Sequence, residues 1–199
     1  MSVQWARLQS VSRLGDTRAG MNDALNRPLV PDDIISISDS PAGALRRRGW
    51  TCATAESCTG GGIALGITSI AGSSDYMLGG IVAYSNEVKR SLLRVRQTTL
   101  DSVGAVSEEC AREMAGGVRQ ALGSDIGISS TGIAGPRGAT ARKPVGLVYI
   151  AVATPEMNEV RELRLSGDRR HIMRESARLA LELAYSVIGD GAHAPETEI

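Results

Sequence analysis

Trp50-Thr51-Cys52-Ala53-Thr54-Ala55, then Glu56-Ser57-Cys58-Thr59-Gly60-Gly61-Gly62, then Ile63-Ala64-Leu65-Gly66-Ile67-Thr68-Ser69-Ile70: this stretch carries the fold. A short run of mostly small and apolar residues predicts a strand. The glycines predict a tight turn, and the apolar stretch after them predicts a helix. Working outward, Gly79–Ser85 reads as a second strand and Asn86–Leu93 as a short helix. Upstream, Ser40-Pro41 opens a helix over Ala42–Arg48 that Gly49 stops. Downstream, Ser107 caps a helix whose apolar residues Cys110, Met114, Val118 and Leu122 recur every fourth position before Gly123 ends it. Ile126–Thr131 is a buried strand, and Val145–Ala153 is expected to be the longest and central one. Glu159–Leu165 follows after a turn at Pro155 short enough to make the two antiparallel. Asp168 then caps a closing helix to Ile188, with Ile172, Met173, Ala177, Ala180, Ala184 and Val187 on one face. The order predicts one three-layer α/β/α domain over residues 37–190 on a mixed, mostly parallel sheet. Residues 1–36 show no sustained periodicity and are expected to form an extension, partly disordered; 191–199 read as a polar tail.

Composition narrows the chemistry. The 199 residues are 42% hydrophobic but 3% aromatic, with no Phe and 23 Gly, so the core must be built from small side chains. Basic and acidic residues balance at 22 each, against the basic excess that a nucleic-acid binder needs. The longest uncharged run, Ser57–Ser74, is too rich in glycine for a membrane span. Three cysteines at unpatterned spacings and no apolar leader suggest a cytoplasmic setting. All but two of the 22 basic residues are Arg, the exceptions being Lys89 and Lys143. A chain that uses Arg for charge keeps Lys where Arg cannot serve, as in an amine that must lose its proton. With only His171 and His193, a multi-histidine metal site is nearly excluded and a serine–histidine pair would have to use His171.

Five places could carry chemistry, each with a plainer reading beside it. Ser57 sits at a strand-to-helix turn where glycine N–H groups could face an anion; Ser57 and Thr59 could equally just cap the helix. Lys89 follows Tyr84-Ser85-Asn86, and parallel neighbouring strands would bring it to the same sheet edge as Ser57. A desolvated lysine there could take the serine's proton, whereas most helix lysines are simply solvated. Thr131-Gly132-Ile133-Ala134-Gly135-Pro136 ends the third strand as a turn or as the far wall of a pocket. Arg169-Arg170-His171 places cations in a helix's first turn, which suits a bound phosphate; solvated arginines are the alternative. Arg46-Arg47-Arg48 is either a nucleic-acid patch or a helix end complementing its dipole.

Together, Ala55-Glu56-Ser57-Cys58-Thr59-Gly60-Gly61, Tyr84-Ser85-Asn86-Glu87-Val88-Lys89, Gly104-Ala105-Val106-Ser107, Thr131-Gly132-Ile133-Ala134-Gly135-Pro136, Lys143-Pro144-Val145-Gly146 and Gly167-Asp168-Arg169 resemble the C-terminal domain of the competence/damage-inducible CinA family, which also exists as a stand-alone nicotinamide-nucleotide amidase. The resemblance runs from Pro41 to Ile188. It implies a hydrolase that converts nicotinamide mononucleotide to nicotinate mononucleotide and ammonia in pyridine nucleotide salvage, without cofactor or metal. It implies Ser57 as nucleophile and Lys89 as general base, with Tyr84, Thr131 and Arg169 positioning base and substrate. The loop Cys58, Thr59, Gly60 and Gly61 is then the candidate oxyanion hole, and Gly132, Gly135 and Arg169 candidates for the substrate's phosphate. A homodimer is expected, because family members are commonly dimeric. The rivals are a nucleotide-binding module that has lost the chemistry and an amidase for another small amide.

Overall fold

A computed structural model describes residues 41–189, so the expectations for 1–36, for Ser40 and for 191–199 lie outside the described residues. Residues 41–48 form helix α1. Then follow β1 (Cys52–Glu56), α2 (Gly62–Thr68), β2 (Met77–Val82), α3 (Asn86–Leu93), α4 (Gln97–Ser102), α5 (Glu108–Leu122), β3 (Ile126–Gly132), β4 (Leu147–Ala153), β5 (Asn158–Arg164) and α6 (Arg169–Ile188). One five-stranded sheet has the order β2-β1-β3-β4-β5. β1 pairs in parallel with β2 and β3, while β4 runs antiparallel to both β3 and β5. Four of the five strands therefore share one direction.

The two faces of the sheet are unequal, which answers the odd composition. Ile126 and Ile128 of β3 and Val148, Ile150 and Val152 of β4 point to one side, where they pack with Ile63, Ile67, Ile172, Leu181 and Leu183 of α2 and α6. The opposite face carries Ala53, Ala55, Ala151 and Ala153 under α3 and α5. A Cβ on Gly127 of β3 would lie 2.0 Å from Ala115 O, and one on Gly117 of α5 would lie 1.9 Å from Leu93 O. Small residues thus let α5 approach both the sheet and α3 at backbone distance, leaving no room for an aromatic ring.

Three expectations need correction. β4 is neither the longest strand nor the central one: at seven residues it equals β3 and β5, and β3 is central. Val145 and Gly146 are spent on a turn, where Gly146 adopts φ +90° against Leu165 O. β4 reads as continuously apolar because α5 and α6 cover both of its faces. Leu122, predicted for the core stripe of α5, is at its exposed end. The arginines at the end of α1 are a packed helix end, since Arg46 stacks on Tyr76 and donates to Ala71 O while Arg48 stacks on Trp50. The helix α4 escaped sequence reading altogether.

Candidate active site

Parallel pairing puts the ends of β1, β2 and β3 level. The ladder runs one step past the strands, with Ser57 N donating to Ser130 O (3.0 Å) and Ala83 N to Glu56 O (2.8 Å). Ser57 follows β1, Tyr84 and Ser85 follow β2, and Thr131 and Gly132 close β3, so all three loops meet on one edge. Ser85 caps α3, its hydroxyl accepting from Val88 N, and Lys89 stands one turn further on. A helical side chain leans toward its own N-terminus. Lys89 thereby returns to the sheet edge, its Nζ donating to Ala83 O at 2.6 Å and to Ser57 Oγ at 3.1 Å.

Lys89 is 1% exposed. Burial lowers its pKa from the ordinary 10.5, because an ammonium loses its hydration there. The nearby Cys110 and Cys58 oppose this shift only in part, since burial pushes their own thiols up to about 11 and about 12. The amine also forms no ion pair with a carboxylate among the described residues. An amine whose pKa is lowered in this way gives up its proton more readily than a solvated lysine, which makes it a competent base for a hydroxyl 3.1 Å away.

The dyad opens into a cavity of about 230 Å³ lined by Ser57, Cys58, Lys89, Thr131, Gly132 and Arg169 among others. Tyr84 stands at its mouth, 64% exposed. Arg169 bridges the rim, donating to Gly135 O (2.8 Å) and to Tyr84 Oη (3.2 Å). Beyond that bridge a second hollow, of about 540 Å³, is lined by Tyr84, Gly135, Arg137 and Arg169. Thr131 does not face the reacting pair with its hydroxyl, which donates to Ala105 O at 2.6 Å. His171 is exposed, with Nδ1 3.4 Å from an Arg174 nitrogen, and does not line the dyad's cavity.

The glycine loop is arranged differently from the sequence reading. Its N–H groups do face an anion, but the anion belongs to the chain. Glu56, 1% exposed, turns its carboxylate under α2: Oε2 accepts from Thr59 Oγ1 (2.6 Å), Gly61 N (2.9 Å) and Ile63 N (3.0 Å), and Oε1 from Ala64 N (2.8 Å). Gly60 N donates to Ser57 O. Thr59, Gly60 and Gly61 therefore stand off the pocket wall, occupied in holding the loop. The N–H groups of Cys58 and Thr59 alone in this loop donate to no acceptor among the described residues. Sequence reading quoted Glu56 without giving it a role; the available signal was an acid directly before a glycine-rich helix start. The far-wall reading of Thr131–Pro136 holds for Thr131, Gly132 and Ala134, whereas Asn86, Ala105 and Val106 of the pocket lining were given no role. Among the described residues no group of three or more His, Cys, Asp and Glu could hold a metal, and no helix is long and apolar enough to cross a membrane.

Fold and site define a class: three-layer α/β domains that face a serine with a buried lysine at the carboxyl edge of the parallel strands. Within that class the chain belongs to the CinA family, whose C-terminal domain matches residues 35–188. It is 48% identical over 147 residues to a CinA-like protein of Kosmotoga olearia, covering 74% of this chain and 36% of that one. With a CinA-like protein of Gloeothece citriformis it shares 60% identity over 111 residues, which is 56% of this chain and 27% of the relative. The chain thus spans about a third of the length of the curated relatives it matches. Among solved structures, the competence/damage inducible protein CihA from Agrobacterium tumefaciens superposes with a TM-score of 0.79 at 38% identity, over 81% of this chain and 99% of that one. A CinA superfamily protein from Klebsiella pneumoniae gives 0.75 at 35% identity, over 78% and 97%.

Proposed function

We propose that this domain is a nicotinamide-nucleotide amidase working through a Ser57–Lys89 dyad. The observation that carries the reading is the buried, charge-unpaired Lys89 amine 3.1 Å from Ser57 Oγ. The Ala83 carbonyl takes one amine hydrogen and fixes its direction. Neutral Lys89 accepts the hydroxyl proton as Oγ attacks the carboxamide carbon. The tetrahedral oxyanion forms beside the N–H group of Cys58, the residue after the nucleophile and part of the cavity lining. Collapse breaks the C–N bond, Lys89 returns its proton to the leaving nitrogen, and ammonia departs. A water molecule, deprotonated by Lys89, then splits the acyl-serine ester to release the carboxylate and regenerate Ser57. An amide is a poor electrophile, and dividing its hydrolysis into two easier steps is what a covalent intermediate achieves. The ribose phosphate of the substrate fits the arginine-lined outer hollow, with Arg169 at the junction.

The test is ammonia release from nicotinamide mononucleotide, nicotinamide riboside and free nicotinamide. The expected result is turnover of the mononucleotide, with Ser57→Ala and Lys89→Arg each losing at least ~10²-fold. Lys89→Arg keeps the charge but cannot give up its proton. Binding without turnover would leave a nucleotide-binding module, and preference for another amide a different amidase. Near-normal turnover by Lys89→Arg would end the dyad mechanism.

A further inference from the structure

The second lysine of the chain has no part in that dyad. Lys143 lies on the segment between β3 and β4, in a turn closed by Thr140 N donating to Lys143 O (2.8 Å) and Lys143 N donating to Thr140 O (3.2 Å). From this turn its amine crosses to the link between α4 and α5, donating to Val106 O at 2.7 Å and also to Val103 O. The two carbonyls between these are taken as well. Ser107 Oγ donates to Gly104 O (2.8 Å) and Thr131 Oγ1 to Ala105 O (2.6 Å). Four consecutive carbonyls of a stretch outside any helix or strand are thus fixed by side chains, two of them by one ammonium. Ala105 and Val106 of that stretch line the cavity that holds Ser57 and Lys89.

We infer that Lys143 is a positioning residue for the serine–lysine site: it latches the β3–β4 segment to the Val103–Val106 wall and so sets the width of the pocket that receives the amide. The inference rests on the amidase reading for its catalytic consequence, though the latch is a matter of geometry. The residue type fits the task. Carbonyls three residues apart converge on a single nitrogen, which a compact ammonium satisfies with separate hydrogens. A guanidinium spreads its donors over a rigid planar fork and would have to force the two carbonyls apart. In a chain that places Arg at nearly every cationic position, lysine stands where one point must serve two acceptors.

Lys143→Met, which keeps most of the stem and removes the donors, is compared with the parent in three measurements. Hydrogen exchange should quicken ~10-fold or more in residues 103–107 and 136–146 and stay unchanged in β1 and α6. Labelling of Ser57 by a small fluorophosphonate should keep its rate, while labelling by a bulky one should gain ~10-fold relative to it, because the wall no longer excludes it. Turnover of the mononucleotide should fall ~10–100-fold in kcat/KM, the scale of a misplaced substrate. Lys143→Gln, which keeps a donor nitrogen but is shorter and uncharged, should fall between the two and serves if the Met variant does not fold. Unchanged exchange, or an unchanged bulky-to-small labelling ratio, overturns the latch. Faster exchange throughout the domain would make Lys143 a residue of the fold and not of the site. Local loosening with undiminished kcat/KM overturns its positioning role. If the parent turns over no amide, the amidase reading fails, while exchange and labelling still decide the latch.

Discussion

Replacing Glu56 by Gln is the sharpest test of how the nucleophile loop is held. The two side chains have the same shape, so packing is not at issue. Four donors converge on the carboxylate, three on Oε2 and one on Oε1. An amide can present its oxygen to only one of these sides. With the oxygen kept toward Thr59, Gly61 and Ile63, its NH2 group meets Ala64 N–H, and that bond is lost. A hydrogen bond to a charged group contributes about 1.5–3 kcal/mol. The three that remain lose part of their charge assistance, about 0.5–1 kcal/mol each. The total is about 3–6 kcal/mol, a large share of the ~5–15 kcal/mol that stabilises a domain. At ~2–4 °C per kcal/mol for a chain of this size, Glu56→Gln should melt at least ~6 °C lower. Thermal unfolding followed by circular dichroism reads the shift. Below melting, the loop bearing Ser57 should also be looser, so kcat should drop while Lys89 remains buried. A shift under ~2 °C would refute the reasoning: the donors would then have acceptors other than Glu56.

Three further expectations follow from the same geometry. Since neutral Lys89 is the working form and burial lowers its pKa, kcat/KM should rise with pH along a limb centred below 10.5; a limb at or above that value would mean a solvated amine. Between the folded and unfolded pKa values the unfolded chain binds the extra proton, so stability should also rise with pH there, and Lys89→Met should remove the rise in urea titrations. Arg169→Ala should raise KM for the mononucleotide ~10-fold or more with little effect on the riboside; equal effects would reduce Arg169 to a tie between Gly135 and Tyr84. Gly117→Ala gains up to about 1 kcal/mol of helix propensity yet sets a Cβ 1.9 Å from Leu93 O. It should therefore destabilise by about 1–3 kcal/mol, and a variant as stable as the parent would show that α3 and α5 can part without cost.

The legible part of this molecule was whatever local rules control. Ser107 and Asp168 cap the helices they were expected to cap, each accepting from an N–H three residues on. The strand-to-helix turn at Ser57 and the parallel placement of β2 beside β1 follow from short-range pattern and connection rules. What could not be read depends on who meets whom. An apolar run such as Leu147–Ala153 tells of two covered faces, not of rank in the sheet, and β3 took the centre. A glycine loop tells of free N–H groups but not of the anion that uses them, so Glu56, five to eight residues from its backbone donors, was passed over. Ala105 and Val106 line the pocket from a loop whose carbonyls are held by the side chains of Ser107, Thr131 and Lys143, the last two distant in sequence.

The inward anion at α2 has a consequence for substrate recognition. A helix N-terminus that already holds a buried carboxylate cannot also cradle a phosphate, since a second anion there would meet the first at short range in a poorly screened site. Any negative charge on the substrate must then be read away from α2. The side chains placed to do so are Arg169 of the bridge to Tyr84 and Arg137 of the outer hollow. This separates two duties that the sequence seemed to assign to one motif. On the proposed amidase reading, the glycine turn orients the nucleophile and leaves Cys58 N–H for a transient oxyanion, while Arg137 of the β3–β4 segment and Arg169 of α6 read the substrate's charge. Ser57 can then be held by an internal cap, which keeps the 3.1 Å contact on which the proposed chemistry depends independent of how the substrate's charge is bound.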